Sequence, residues 1–392
     1  MDKHAKRSSL LHYPVLIVFT LFFVGLFALD LITPDRAYSE MENTTLSQRP
    51  ALTQLSAKGL NSYFTAYTKY VKDQVFGRDQ WISLQSMVET TLLQKEQNGG
   101  ILLGREHMMF PRTFGLLSSE ERTLPKNTSA VESLCQRYPG KVNVLLAPAA
   151  SDIYPENVPV NAPLLDEDSF LDQLSAAVQA AGGRFVDVRG TLTDHKGEYL
   201  YYRTDHHWTS LAARYAFETL SAQLDLQPVR SYTVYPVSDS FEGTLAAKTG
   251  SHAALDTIEI YVPDTDVQYA VTYADTQTTI CSLYDRAKLA EKNQYEVFFG
   301  GNHARVDIQT TADTGRTLLL LKDSYANCFV QFLTPYYDRI LMIDPRYFYD
   351  DLGALLRRER VTDALILYNY NTFVQDHALS VVLQSALFDE GE

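Results

Sequence analysis

The chain has 392 residues, 45% of them hydrophobic, and a formal net charge of −14. This is enough apolar material for a large core, in one α/β domain with insertions or in two domains, and it excludes a disordered chain. No Lys/Arg run lies beyond the extreme N-terminus, so the electrostatic term of phosphate-backbone binding has no source and nucleic acid is excluded as a partner.

In chain order, the first signal is apolar. The 22 residues from Ser8 to Leu29 contain no Asp, Glu, Lys or Arg and follow Lys3, Lys6 and Arg7. That length crosses the hydrocarbon core of a bilayer, and the basic flank places the N-terminus in the cytoplasm and the rest of the chain outside it. The alternative is a cleaved signal peptide, for which the apolar run is long and no A-x-A site follows. Residues 1–30 are therefore read as a cytoplasmic tip and transmembrane anchor.

Residues 31–130 read as a stalk and helical entry segment. Apolar positions at helical spacing predict two helices split at Gly77, and "GGILLGREHMMF" predicts a short hairpin with glycines at its turns.

Residues 131–392 carry the α/β pattern. "KVNVLLAPA" is a buried parallel strand, followed by a Pro-rich loop and a helix closed by Gly182 and Gly183. Strand "RFVDV", strand "TLLLL" at 317–321, a helix from about Tyr325, strand "RILMI", helix "DDLGALLRR", strand "ALILY" and a last amphipathic helix follow. Alternation of this kind predicts a doubly wound parallel sheet. Between about 228 and 312, Tyr/Thr/Val runs without helical period, "YEVFFGGN" among them, predict an inserted antiparallel β subdomain.

Two stretches carry chemistry. In "YYRTDHHWTS", an extended Asp205–His207 would point both side chains the same way and His206 oppositely. Asp205 would then accept from Nδ1–H of His207 and leave Nε2 free to take a proton. In "TLLLLKDSYANCFVQFL" the strand ends at Leu321 and Asp323-Ser324 opens a helix, which puts the Ser324 hydroxyl at the carboxyl edge of the sheet. Amides of that helix could stabilise an oxyanion. An ordinary N-cap serine is the alternative for Ser324.

Together "TDHHWT", "LLLLKDSYAN", "PAASDIYPENVP", "FFGGN", "DPRYF", "SEMENTTLSQRP" and "FGRDQW" make the chain resemble the DHHW proteins, relatives of the SGNH-hydrolase-like alginate O-acetylation proteins. The resemblance spans nearly the whole chain in a consistent order. It implies an SGNH-hydrolase-like α/β domain outside the cytoplasm that transfers acyl groups to a surface polysaccharide, beside a membrane-bound acyltransferase as acyl donor, with no cofactor. It matches Ser324 to the nucleophile, His207 to the base and Asp205 to its orienter. The typical SGNH motif reads Gly-Asp-Ser and comes early in the domain, whereas Lys322-Asp323-Ser324 comes late; a circular rearrangement keeps the geometry.

Gly301 N–H and the Asn302 amide are further oxyanion candidates, the alternative being a plain Gly-Asn turn. Tyr325 and Arg346 follow strand ends on the same edge and could touch substrate, although an ion pair also accounts for Arg346. Asp152 and Tyr154 could line a groove. The competing readings are a non-catalytic polysaccharide binder and a metal hydrolase using Asp205, His206 and His207 with His195, His252 or His303. The metal reading stands behind because adjacent histidines diverge in a strand and no HExxH occurs.

Overall fold

The computed structural model describes residues 13–39, 41, 44–51, 60–112, 120–162, 164–226 and 231–387. The basic flank Lys3, Lys6 and Arg7, and position 228 where the β insertion was expected to start, lie outside them. The chain divides into two compact units, Met1–Leu93 and Gln94–Glu392.

In the first unit, helix α1 (Pro14–Ile32) starts on a proline, which loses no helical N–H at that position, and is long and apolar enough to cross a membrane. Helices α2 (Leu60–Gln74) and α3 (Arg78–Met87) are split at Gly77 as the sequence predicts. Gly77 takes φ +69°, a left-handed conformation that costs a glycine nothing.

The second unit is built on an eight-stranded, mostly parallel sheet. Its elements are β1 (Val142–Ala147), β2 (Arg184–Phe185), β5 (Tyr269–Tyr273), β6 (Thr278–Ile280), β7 (Arg305–Thr310), β8 (Thr317–Lys322), β9 (Arg339–Ile343) and β10 (Asp363–Asn369), in the order β6-β5-β7-β9-β8-β10-β1-β2. Strands β9-β8-β10-β1-β2 pair in parallel, and β7, β5 and β6 extend that sheet antiparallel. Strands β3 (Tyr232–Phe241) and β4 (Asp256–Pro263) form a separate two-stranded ribbon. The antiparallel runs of 228–312 therefore go to two places, because β7 finds an unpaired edge on β9 while the ribbon pairs with itself.

Side-chain alternation along β8 explains the central position of that strand. Leu318 and Leu320 enter one core with Ala213, Phe217 and Leu220 of α6 (Ser210–Gln223). Leu319 and Leu321 enter the other core. That core is covered by α4 (Glu120–Arg137), α5 (Glu167–Ala180), α7 (Leu352–Glu359), α8 (Tyr370–Gln375) and α9 (His377–Ser385). A strand of leucines buried on both faces suits a sheet covered on both sides. "GGILLGREHMMF" forms a small sheet of its own, with Gly99 and Gly100 at positive φ in the first turn.

Three local expectations fail. The helix from about Tyr325 is a run of turns, with 3₁₀ segments at Ser324–Ala326 and Val330–Phe332. The stretch is buried on every side, and the Gln331 side chain donates to the Cys328 carbonyl at 2.5 Å, taking the acceptor that an α-helix would give to Phe332 N–H. "YEVFFGGN" is a 3₁₀ turn at Gln294–Val297 followed by positive φ at Phe299, Gly300 and Gly301, which no strand accommodates. The last helix breaks into α8 and α9 at Asp376, whose carboxylate caps α9 through Ala378 N–H.

Candidate active site

Ser324 is the second residue beyond β8, a strand with parallel neighbours on both sides. The turn that presents it is fixed by Asp323, whose buried carboxylate accepts Tyr325 N–H at 2.9 Å and Asn369 N–H at 2.8 Å. The second bond crosses to the end of β10, so the neighbouring strand sets the position of the serine. Burial pushes the Asp323 pKa up, against the Arg346 charge and the two amide bonds. Lys322 is also buried; its ammonium donates to Asn302 Oδ1 at 3.1 Å and Asn327 Oδ1 at 2.9 Å and stands 3.6 Å from the Asp344 carboxylate.

The Asp-His-His-Trp stretch is held between a bridge pairing Tyr201 with Trp208 and the N-cap of α6, where Thr209 accepts Ala212 N–H. Between these anchors the chain bends sharply, with Asp205 Oδ1 accepting both the His207 backbone N–H at 3.0 Å and Nδ1–H at 2.5 Å. Oδ2 accepts Thr244 N–H at 2.7 Å and Thr244 O–H at 2.9 Å. Against the cost of burial, the two histidines and these donors hold the Asp205 pKa well below the usual carboxylate range. An ionised carboxylate only accepts, so Nδ1 carries the proton and Nε2 is the acceptor. Nε2 lies 2.7 Å from Ser324 Oγ, 117 positions away in sequence. Ser324, His207 and Asp205 thus form one directed line of hydrogen bonds.

His206 does not diverge as a strand would require. Its ring lies 4.0 Å from that of His207, and Nδ1 is 2.9 Å from the Thr244 hydroxyl and 3.5 Å from Asp205 Oδ1. Desolvation, then His207, push its pKa down; Lys248 and Arg346 add to this and Asp205 opposes it. The ligand atoms of Asp205, His206 and His207 fall within 4.8 Å of one another, closer than sequence spacing suggests. Asp205 already accepts four hydrogen bonds and both His207 nitrogens are engaged, an arrangement fitted to relaying a proton. His195 pairs with Glu198, His252 with Glu242 and His303 with Asp275, and none of the three belongs to this cluster.

Sequence reasoning missed several residues that shape the site. The Tyr295 ring stacks on the His207 imidazole at 3.9 Å and 14°, and its hydroxyl donates to the Ser324 carbonyl at 3.1 Å. Thr244 completes the Asp205 shell, and Gly243 leaves room for it, since a Cβ there would fall 2.2 Å from Asp205 Cβ. Asp256 accepts Arg203 N–H, Thr204 N–H and the Thr204 hydroxyl, fixing the approach to Asp205. None lies within 30 positions of both stretches it joins, so no local pattern marks them.

The remaining candidates fall as follows. Tyr325 is buried, its ring 5.2 Å from that of His207 and its hydroxyl donating to the His206 carbonyl, which makes it a support beneath the site. Its N–H is taken by Asp323, and Gly301 N–H by Phe298 O. Ser324 N–H and Asn302 Nδ2 make no hydrogen bond among the described residues, which leaves both free to donate. Arg346 grips Asp344 through two bonds of 2.8 and 2.6 Å. Tyr154 donates to the Glu198 carbonyl. Asp152 is half-buried, and burial followed by the Asp168 charge push its pKa up to about 6.

Residues 132–343 match the family described as DHHW protein. Over 193 residues the chain is 23% identical to the probable alginate O-acetylase AlgJ of Pseudomonas syringae pv. tomato, covering 48% of each chain. It spans about half the length of the curated relatives it matches. Among solved structures, a DHHW family protein from Eubacterium siraeum superposes with a TM-score of 0.61 at 21% identity, over 75% of this chain and 98% of that one. Bacillus cereus PatB1, solved with a sulfonyl adduct, superposes with a TM-score of 0.56 at 14% identity, over 71% of this chain and 96% of that one. These likenesses are likenesses of fold.

Proposed function

This chain belongs to the DHHW protein family, and we propose that it is an extracytoplasmic O-acetyltransferase, or esterase, of a cell-surface polysaccharide. The fold is read as SGNH-hydrolase-like, held to the membrane by α1 with the N-terminus in the cytoplasm. A membrane-bound acyltransferase is its acyl donor and the polymer its acceptor. The single observation that carries the reading is the line from Ser324 Oγ through His207 to Asp205 at the carboxyl edge of the sheet. Curated relatives named as probable alginate O-acetylases support the reaction class.

In the first half-reaction Ser324 Oγ bonds to the acetyl carbonyl carbon while its proton passes to His207 Nε2. The imidazolium is stabilised by ionised Asp205. Collapse breaks the bond to the donor's leaving oxygen, which takes the proton from His207 and leaves acetyl-Ser324. A sugar hydroxyl then gives its proton to the same nitrogen as its oxygen attacks the acetyl carbon; the bond from that carbon to Ser324 Oγ breaks, and Oγ takes the proton back from His207. Water in place of the sugar gives the esterase. Ser324 N–H and Asn302 Nδ2 would meet the oxyanion, and one such donor typically contributes roughly 3 kcal/mol. Tyr347 and Tyr349, exposed after β9, offer faces on which a sugar ring can stack.

The test is Ser324→Ala. It should abolish acetate release from a chromogenic ester, transfer to oligosaccharide and covalent labelling by a sulfonyl reagent, with the thermal midpoint nearly unchanged. Full activity in this variant would overturn the mechanism.

A further inference from the structure

We infer that α2 and α3 are not a solvent-facing stalk but lie in the membrane surface, with lipid covering their apolar faces. The inference rests on the reading that α1 spans the bilayer.

Leu60, Phe64, Tyr67 and Val71 of α2 recur at four-, three- and four-residue spacing, which stacks them on one side of the helix, and all four are exposed. Lys69 lies opposite this stripe and Lys72 on its flank, and both are exposed. On α3, Trp81 and Leu84 are exposed. Among the described residues of the two helices only Ser86 is buried. An amphipathic helix in a water-soluble unit buries its apolar stripe; two successive helices that expose theirs make a patch that needs an occupant.

Continuity with α1 identifies that occupant. The carboxylate of Asp30, near the end of α1, accepts Phe76 N–H at 3.0 Å, which ties the α2–α3 junction to the membrane exit. The Trp81 ring meets Phe22 edge-on at 6.3 Å, and Phe22 lies about 15 Å back along α1 from Ile32. Trp81 is thus held against the apolar span rather than above it. Its indole N–H donates to the Phe76 carbonyl at 3.1 Å, so the ring can enter an apolar layer with its polar atom satisfied. Basic residues opposite and beside the apolar stripe, as Lys69 and Lys72 are, fit a helix lying at the headgroup boundary.

The chain holds two tryptophans, and Trp208 is fully buried, so Trp81 can be read in the intact protein. The full-length Trp208→Phe variant would be reconstituted in phosphatidylcholine vesicles with or without brominated acyl chains, and floated. The expected result is co-flotation, loss of Trp81 emission in brominated vesicles and little quenching by iodide. Phe64→Trp in a Trp81→Phe, Trp208→Phe background should behave alike and report on α2, away from the Phe22 contact. A chain that does not float overturns the spanning reading of α1. If it floats but iodide alone quenches, the faces meet water; if neither quencher acts, protein covers them. Either result overturns the inference while leaving the anchor standing.

Discussion

Trp208 Nε1–H donates to the Tyr325 carbonyl at 2.9 Å, joining the bend that carries Asp205 and His207 to the turn that carries Ser324 across 117 positions of chain. The indole is wholly buried, its ring centroid 5.5 Å from that of Tyr325. With the Tyr325 hydroxyl on the His206 carbonyl and Tyr295 between His207 and the Ser324 carbonyl, this side chain is one of three ties that set the separation between the imidazole and the hydroxyl.

Trp208→Phe keeps most of the apolar packing but leaves the Tyr325 carbonyl with only the weak Cys328 thiol contact. An unpaired buried carbonyl costs about 1–3 kcal/mol, so chemical denaturation should show a loss of that size. The turnover of folded variant should fall as well, since the serine loses one of its ties; unchanged kcat would show that the remaining ties hold the turn.

Asp205→Asn tests the proton line. An amide cannot stabilise an imidazolium as a carboxylate does and favours the wrong tautomer, and the matching change in serine hydrolases lowers turnover by about 10⁴. A comparable fall in kcat with KM little changed is expected. A loss below tenfold would remove Asp205 from the mechanism.

Gly243→Ala tests the space around Asp205. The added Cβ would lie 2.2 Å from Asp205 Cβ and 2.6 Å from Oδ2, so the carboxylate or the Thr244 turn must shift. Overpacking of this kind typically costs about 1–3 kcal/mol, and each kcal/mol lowers the midpoint of a unit of this size by about 1–2 °C. Activity should fall with it, because the shifted group orients His207. An unchanged melting curve would contradict the close approach.

Asp152 sets a pH dependence. With its folded pKa pushed up to about 6 against about 3.9 in an unfolded chain, the folded state keeps a proton that the unfolded state has lost between those values. Its contribution is full below about pH 4 and is lost as pH rises through 6. Glu167, also raised by burial and by the neighbouring Asp152, acts with the same sign. Asp152→Asn should flatten the fall in midpoint between pH 4 and 6; equal slopes in both proteins would place the titration elsewhere.

What the sequence by itself determined is what short-range patterns encode. β1, β8, β9 and β10 are legible because continuous β-branched and leucine runs have few alternatives to a buried strand, and Thr209 and Gly77 mark helix boundaries through local hydrogen bonding and left-handed backbone. The pairing of Asp205 with His207 is legible because two residues of chain limit what a carboxylate can reach. Only the tertiary structure decided that the intervening bend keeps His206 beside His207, that the turns after Ser324 are not an α-helix, and that Tyr295, Thr244 and Gly243 close around the pair. These depend on packing between segments tens of residues apart, where contact energy outweighs local propensity and leaves no periodic trace in the chain.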